Sequence, residues 1–65
     1  MTSSIENQVF DLIKENDGQL DSVDVCGYLM ISPIVILKTL QVLEGKNKII
    51  RAPRGLQFVY EIKKV

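Results

Sequence analysis

The sequence predicts an α+β fold, a small winged helix-turn-helix with three helices followed by a two-stranded β-hairpin wing. Three observations carry that prediction. Helix-start signals stand at Ser3 and at Ser32-Pro33, only residues 30–32 are left between the second and third helices, and the last third of the chain switches to period-two alternation.

Ser3 and Glu6 have the spacing of a capping box, in which hydroxyl and carboxylate each satisfy a free backbone donor at a helix start. Ile5, Val9, Leu12 and Ile13 then recur at the spacing that lines one helical face, and Asn16, Asp17 and Gly18 form the turn that stops the helix near Asn16. The second helix is expected after Leu20. Asp21 or Ser22 caps it, and Val25, Cys26 and Leu29 face inward over about two turns. Ser32-Pro33 restarts the chain as a third helix over 33–44, because proline's fixed φ and missing N–H suit the first helical position. The segment 45–47 ends it.

Strands are expected over 48–51 and 56–62. In the second, Leu56, Phe58, Tyr60 and Ile62 share one face and Gln57, Val59 and Glu61 the other. Ala52, Pro53, Arg54 and Gly55 are read as the turn between them.

Sixty-five residues suffice for one domain, residues 1–65, which buries about 60% of the surface its unfolded chain exposes. An apolar share of 46% with 25% charged residues is that of a folded, soluble domain rather than a disordered one. The first ten residues lack the basic segment and apolar run of a signal peptide, and the stretch 31–37 falls far short of the roughly 20 residues a membrane span needs. A lone Cys26 and the lack of histidine leave no internal disulfide and no common zinc-ligand set. A cytoplasmic protein without a metal or cofactor is expected.

The zero net charge hides a polarity. Residues 1–31 carry six acids against Lys14, a balance of minus five, whereas residues 32–65 carry seven bases against Glu44 and Glu61, a balance of plus five. If the second half forms one face, that face is basic.

No catalytic constellation is present in the sequence. Cys26 has no histidine to activate it and is read as a buried core residue. Asp17, Asp21 and Asp24 lack the ligand spacing of a calcium loop and are read as helix caps and turn residues. The four glycines are too dispersed for a phosphate-cradling loop.

Binding is the remaining class of function. On the third helix Ile36, Thr39, Leu40 and Leu43 form the inward stripe, which leaves Ile34, Leu37, Lys38 and Gln41 outside. Lys38 and Gln41 can meet phosphates or base edges. Ile34 and Leu37 cannot, and suit a protein partner or a dimer contact instead. Lys48, Arg51 and Arg54 on and beside the hairpin, with Lys63 and Lys64 after it, form the candidate phosphate-contacting wing. Tyr60 offers a ring for base stacking, although Phe58 and Tyr60 are expected to pack beneath the wing.

These placed residues carry a resemblance. The run Asp17-Gly18-Gln19-Leu20-Asp21-Ser22, the short helix over 23–29, the stretch 40–50 and the closing Tyr60-Glu61-Ile62 resemble the N-terminal winged-helix segment of the α subunit of eukaryotic cytosolic phenylalanine–tRNA ligase. The resemblance implies a non-catalytic module that helps to hold tRNA, any ligase activity belonging to a parent chain. Met30, Ile34 and Leu37 stand where that family usually has small residues. Size and element order are also similar to the Z-form nucleic-acid binding domains of editing deaminases and viral interferon antagonists. Lys38 matches a basic contact position of that family. Leu37, Gln41 and Tyr60 replace its asparagine, tyrosine and tryptophan, and of its wing prolines there is Pro53 alone. The expected partner is therefore a nucleic acid, tRNA before duplex DNA, with a DNA-binding regulator and a protein-interaction module as the other readings.

Overall fold

The computed structural model describes residues 4–64. It contains α1 (Ile5–Glu15), α2 (Ser22–Leu29), α3 (Pro33–Gly45), β1 (Ile49–Arg54) and β2 (Gln57–Ile62), three helices followed by an antiparallel hairpin in a winged-helix layout.

Ser4 caps α1, its side chain accepting from the Asn7 N–H at 3.1 Å; the Ser3 of the expected capping box lies outside the described residues. At the other end Asn16 Nδ2 donates to the Leu12 carbonyl, and Gly18 reverses the chain at φ 76°, where side-chain-bearing residues are strained. A capping box does occur, on α2. Asp21 Oδ1 accepts from the Asp24 N–H at 2.8 Å and Asp24 Oδ2 accepts from the Asp21 N–H at 3.3 Å. Asp17 Oδ1 accepts from the Ile62 N–H, so all three aspartates of the cluster hold backbone donors.

Between α2 and α3 the chain turns by 118°, as helix-turn-helix pairs do, with Met30 in the left-handed region at φ 55°. Ser32 has the extended backbone of a helix cap and its carbonyl accepts from the Ile36 N–H. Its hydroxyl makes no capping bond, so Pro33 at the first position is what spares α3 an orphan donor.

The hairpin is longer and tighter than the sequence predicts. Strand β1 runs on through Ala52 and Pro53 to Arg54, and the turn is the pair Gly55-Leu56. Of these two only Gly55 has positive φ, the pattern of a type II′ hairpin turn. Pro53 is tolerated because rows alternate away from the hydrogen-bonded Arg54↔Gln57 closure. Pro53 thus falls in a non-bonded row opposite Phe58, and its missing N–H would have faced away from β2.

Strand β2 is the centre of three. On its far side Tyr60 N–H donates to the Leu20 carbonyl at 2.9 Å, and the Tyr60 carbonyl accepts from the Gly18 N–H at 3.0 Å. Residues 17–20 therefore act as a one-bridge third strand that binds the start of α2 to the wing.

Val9, Ile13, Val25, Ile36, Leu40, Leu43 and Ile49 are fully buried and, with Leu20 and Tyr60, make one core where the helices meet the sheet. Each buried aliphatic side chain stabilises the fold by about 1.5–3 kcal/mol relative to leaving it exposed. Three expectations fail at the margins of this core. Cys26 is half-buried rather than interior, Ile5 is exposed at the outer end of α1, and Phe58 is 51% exposed. The pleat does put Phe58 on the helix-facing side with Tyr60 and Ile62, but there it borders the first residues of α2 across an open notch that leaves its ring half-exposed. Leu56 belongs to the turn and is fully exposed.

Candidate nucleic-acid interface

Helix α3 lies across the domain with Ile36, Leu40 and Leu43 inward and Thr39 half-buried, its hydroxyl donating to the Val35 carbonyl at 2.8 Å. Ile34, Leu37, Lys38 and Gln41 are all exposed, Ile34 at 80% and Leu37 at 47%. The helix has two open flanks. One meets α1 in an apolar groove of about 420 Å³ whose lining includes Ile34, Val35, Lys38 and Val42. The other meets the hairpin in a notch of about 220 Å³ lined by Leu37, Gln41, Glu44, Arg51 and Tyr60.

Cross-strand pairing puts Arg51 opposite Tyr60 on the helix-facing side of the hairpin, which aims it into that second notch. There Arg51 Nε lies 3.2 Å from Glu44 Oε2, and its guanidinium sits over the Phe58 ring, 5.3 Å from the centroid. Alternation turns Arg54 to the opposite side at the outer end of the wing. Lys38 and Arg54 have no ion partner among the described residues.

The seven cations of the basic half do not form one surface. Lys48, Lys63 and Lys64 sit at the base of the hairpin, roughly 20 Å from Arg54 at about 3.4 Å per strand residue. Lys48 lies over the Phe10 ring at 5.5 Å, and Lys63 Nζ reaches Asn47 Oδ1 at 3.4 Å. Lys46 is neutralised by Glu6 at 2.7 Å, and this bond holds the Glu6 carboxyl below its ordinary pKa. The structure therefore brings Gln41 and Arg51 together in the α3–hairpin notch, and leaves Lys38 on the α1 flank of α3, Arg54 on the opposite face of the hairpin at its tip, and Lys48, Lys63 and Lys64 at its base.

Tyr60 is 7% exposed, so it is core rather than a stacking platform. Burial pushes its phenol pKa up, Glu44 and Asp21 adding to the effect while Arg51 opposes it. The open ring is Phe58. Glu44 and Phe58 are the two residues of this face that sequence reasoning missed. Glu44 lies on the same α3 flank as Leu37 and Gln41, and that spacing was visible in the sequence. No pattern marked that the start of α2 would leave Phe58 open across a notch.

Comparison with models of known protein families, with curated proteins and with solved structures finds no match to the chain.

Proposed function

We propose that the chain is a non-catalytic nucleic-acid-binding module that contacts the phosphates of folded RNA, tRNA before duplex DNA, as an appended winged-helix domain of a phenylalanine–tRNA ligase would. The observation that carries this reading is a set of exposed cations on α3 and the hairpin, Lys38 and Arg54 without an ion partner among the described residues and Arg51 in the notch between α3 and the hairpin. Cations so arranged position a nucleic acid without reading its sequence. Lys38 and Gln41 are the polar members of an exposed stripe otherwise made of Ile34 and Leu37, which favours shape and backbone recognition over reading base edges in a DNA groove. The resemblance of residues 17–22 to the ligase segment favours tRNA among folded RNAs.

Titration with tRNA over a range of salt tests the reading. With Arg51 compensated by Glu44, the two cations Lys38 and Arg54 give a slope of log affinity against log salt of about −1.4 to −1.8, and Lys38→Gln with Arg54→Gln removes most of it. A slope that the double variant leaves unchanged refutes the assignment of these two residues.

The groove between α1 and α3 favours a second reading, a protein-interaction surface. Ile34, Val35 and Val42 are all exposed along one apolar depression. Leu37, expected beside Ile34, lies in the other notch, so the test is Ile34→Ser with Val42→Ser, which abolishes partner or self-association if this reading holds and leaves it intact if it does not.

A further inference from the structure

A second notch opens on the other side of Tyr60, between the start of α2 and strand β2. It measures about 220 Å³ and is lined by Asp21, Ser22, Val23, Gln57, Phe58 and Tyr60. We infer that this notch receives an unstacked nucleobase from a single-stranded segment of the bound RNA, and that the base stacks on Phe58. The inference rests on the nucleic-acid reading above and adds the part of the ligand that this end of the domain contacts.

Three features select a base over other groups. First, Phe58 is an aromatic side chain left half-open on a domain whose other wing aromatic, Tyr60, is buried. A half-open ring beside cations is what single-strand binders use as a platform, because every base has a π-face. Arg51 already lies over this ring, so the aromatic plane is held before the ligand arrives, and the guanidinium is within reach of the phosphate that follows the base. Second, the charge of the notch excludes a phosphate as its occupant. Its lining holds the Asp21 carboxylate and no cation. A neutral base fits that environment, and phosphates go to Arg51 and Arg54 beside it. Third, the rim is polar in the way a base edge requires. Gln57 offers an amide donor and acceptor and Ser22 a hydroxyl. Asp21 spends Oδ1 on the Asp24 N–H, which leaves Oδ2 to accept from an exocyclic amino group. The volume lies below the roughly 300–1,000 Å³ of drug-sized pockets, on the scale of a single heterocycle.

The test uses the 65-residue chain and a short single-stranded RNA carrying one 2-aminopurine among uridines, with a duplex RNA as the comparison. The wild type and Phe58→Tyr are expected to quench the 2-aminopurine on binding. Phe58→Ala is expected to lose the quenching and to bind the single strand about 5- to 150-fold more weakly, the loss typical of one stacked base. Its duplex affinity should stay within twofold of the wild type. Because Phe58 is half-exposed, the alanine variant keeps the core, and unchanged duplex binding confirms this in the same assay. Quenching and affinity retained in Phe58→Ala overturn the inference. Salt-dependent binding by the wild type without any fluorescence change overturns the stacking and leaves phosphate contact standing. A wild type that binds no RNA overturns both.

Discussion

Glu44 is an acid on the proposed RNA face, and removing its charge has opposite expected effects on stability and on binding. In the free domain its carboxylate lies 3.2 Å from Arg51 Nε, with the Glu44 side chain 28% and the Arg51 side chain 53% exposed. Ion pairs this open to solvent contribute about 0–1 kcal/mol. Glu44→Gln therefore lowers the melting temperature by no more than about 4–8 °C for a domain this small. The same change leaves the Arg51 charge uncompensated in the notch, which adds one phosphate-neutralising cation to the face. One such contact steepens the salt slope by about 0.7–0.9. Over a fourfold fall in salt this amounts to roughly threefold in relative affinity, gained at the low-salt end. Thermal melts together with tRNA titrations at four salt concentrations read both quantities. A Glu44→Gln domain that is slightly less stable yet binds RNA more tightly, with the steeper slope, fits the geometry. An unchanged slope, or weaker binding at low salt, refutes the placement of Arg51 on the RNA-contacting face.

Leu43 is fully buried where α3 meets the rest of the core, and Leu43→Ala is expected to cost about 2–5 kcal/mol. That is a large part of the roughly 3–10 kcal/mol available to a chain of this size, and a urea midpoint near that of the wild type contradicts the packing. Met30 holds a left-handed backbone at φ 55° with its side chain almost wholly exposed, so Met30→Gly is expected to raise stability by up to about 1 kcal/mol, read as a higher urea midpoint. The raised pKa of Tyr60 makes alkaline stability depend on one phenol. The folded state keeps a proton that the unfolded chain gives up, so the contribution is full below about pH 10 and is lost as pH rises from there through the folded pKa. Tyr60→Phe flattens that decline in unfolding measurements, and an undiminished decline contradicts the assigned cause.

The helices were legible because each carries a local signal. Ser32-Pro33 marks the start of α3 without reference to the rest of the chain, and the inward stripe of Ile36, Leu40 and Leu43 follows from the 3.6-residue period alone. The hairpin was legible as alternation but not in its extent. Pro53 reads locally as a turn residue, yet the two-residue turn at Gly55-Leu56 puts it in a row where no N–H is needed. The third strand was not legible because it is a single bridge. Leu20 pairs with Tyr60 through bonds that exist only once α1 and α2 are packed. Period-two alternation assigned Phe58 the correct face, but burial depends on what lies beneath a face, and there Phe58 meets the start of α2 across an open notch. The candidate site was half-legible for a similar reason. Charge counting found the basic half, while the hairpin's length divides it, with Arg54 at the tip, Arg51 midway and Lys48, Lys63 and Lys64 at the base.

Residue-resolved amide shifts of the domain titrated with tRNA at low salt test the central claim most directly. Shifts are expected at Lys38, Gln41, Arg51, Arg54 and Phe58 that fade as salt is raised, with Lys48 and Lys63 at the base of the hairpin little affected. No shift at the wing, or shifts confined to Ile34, Val35 and Val42, would contradict it.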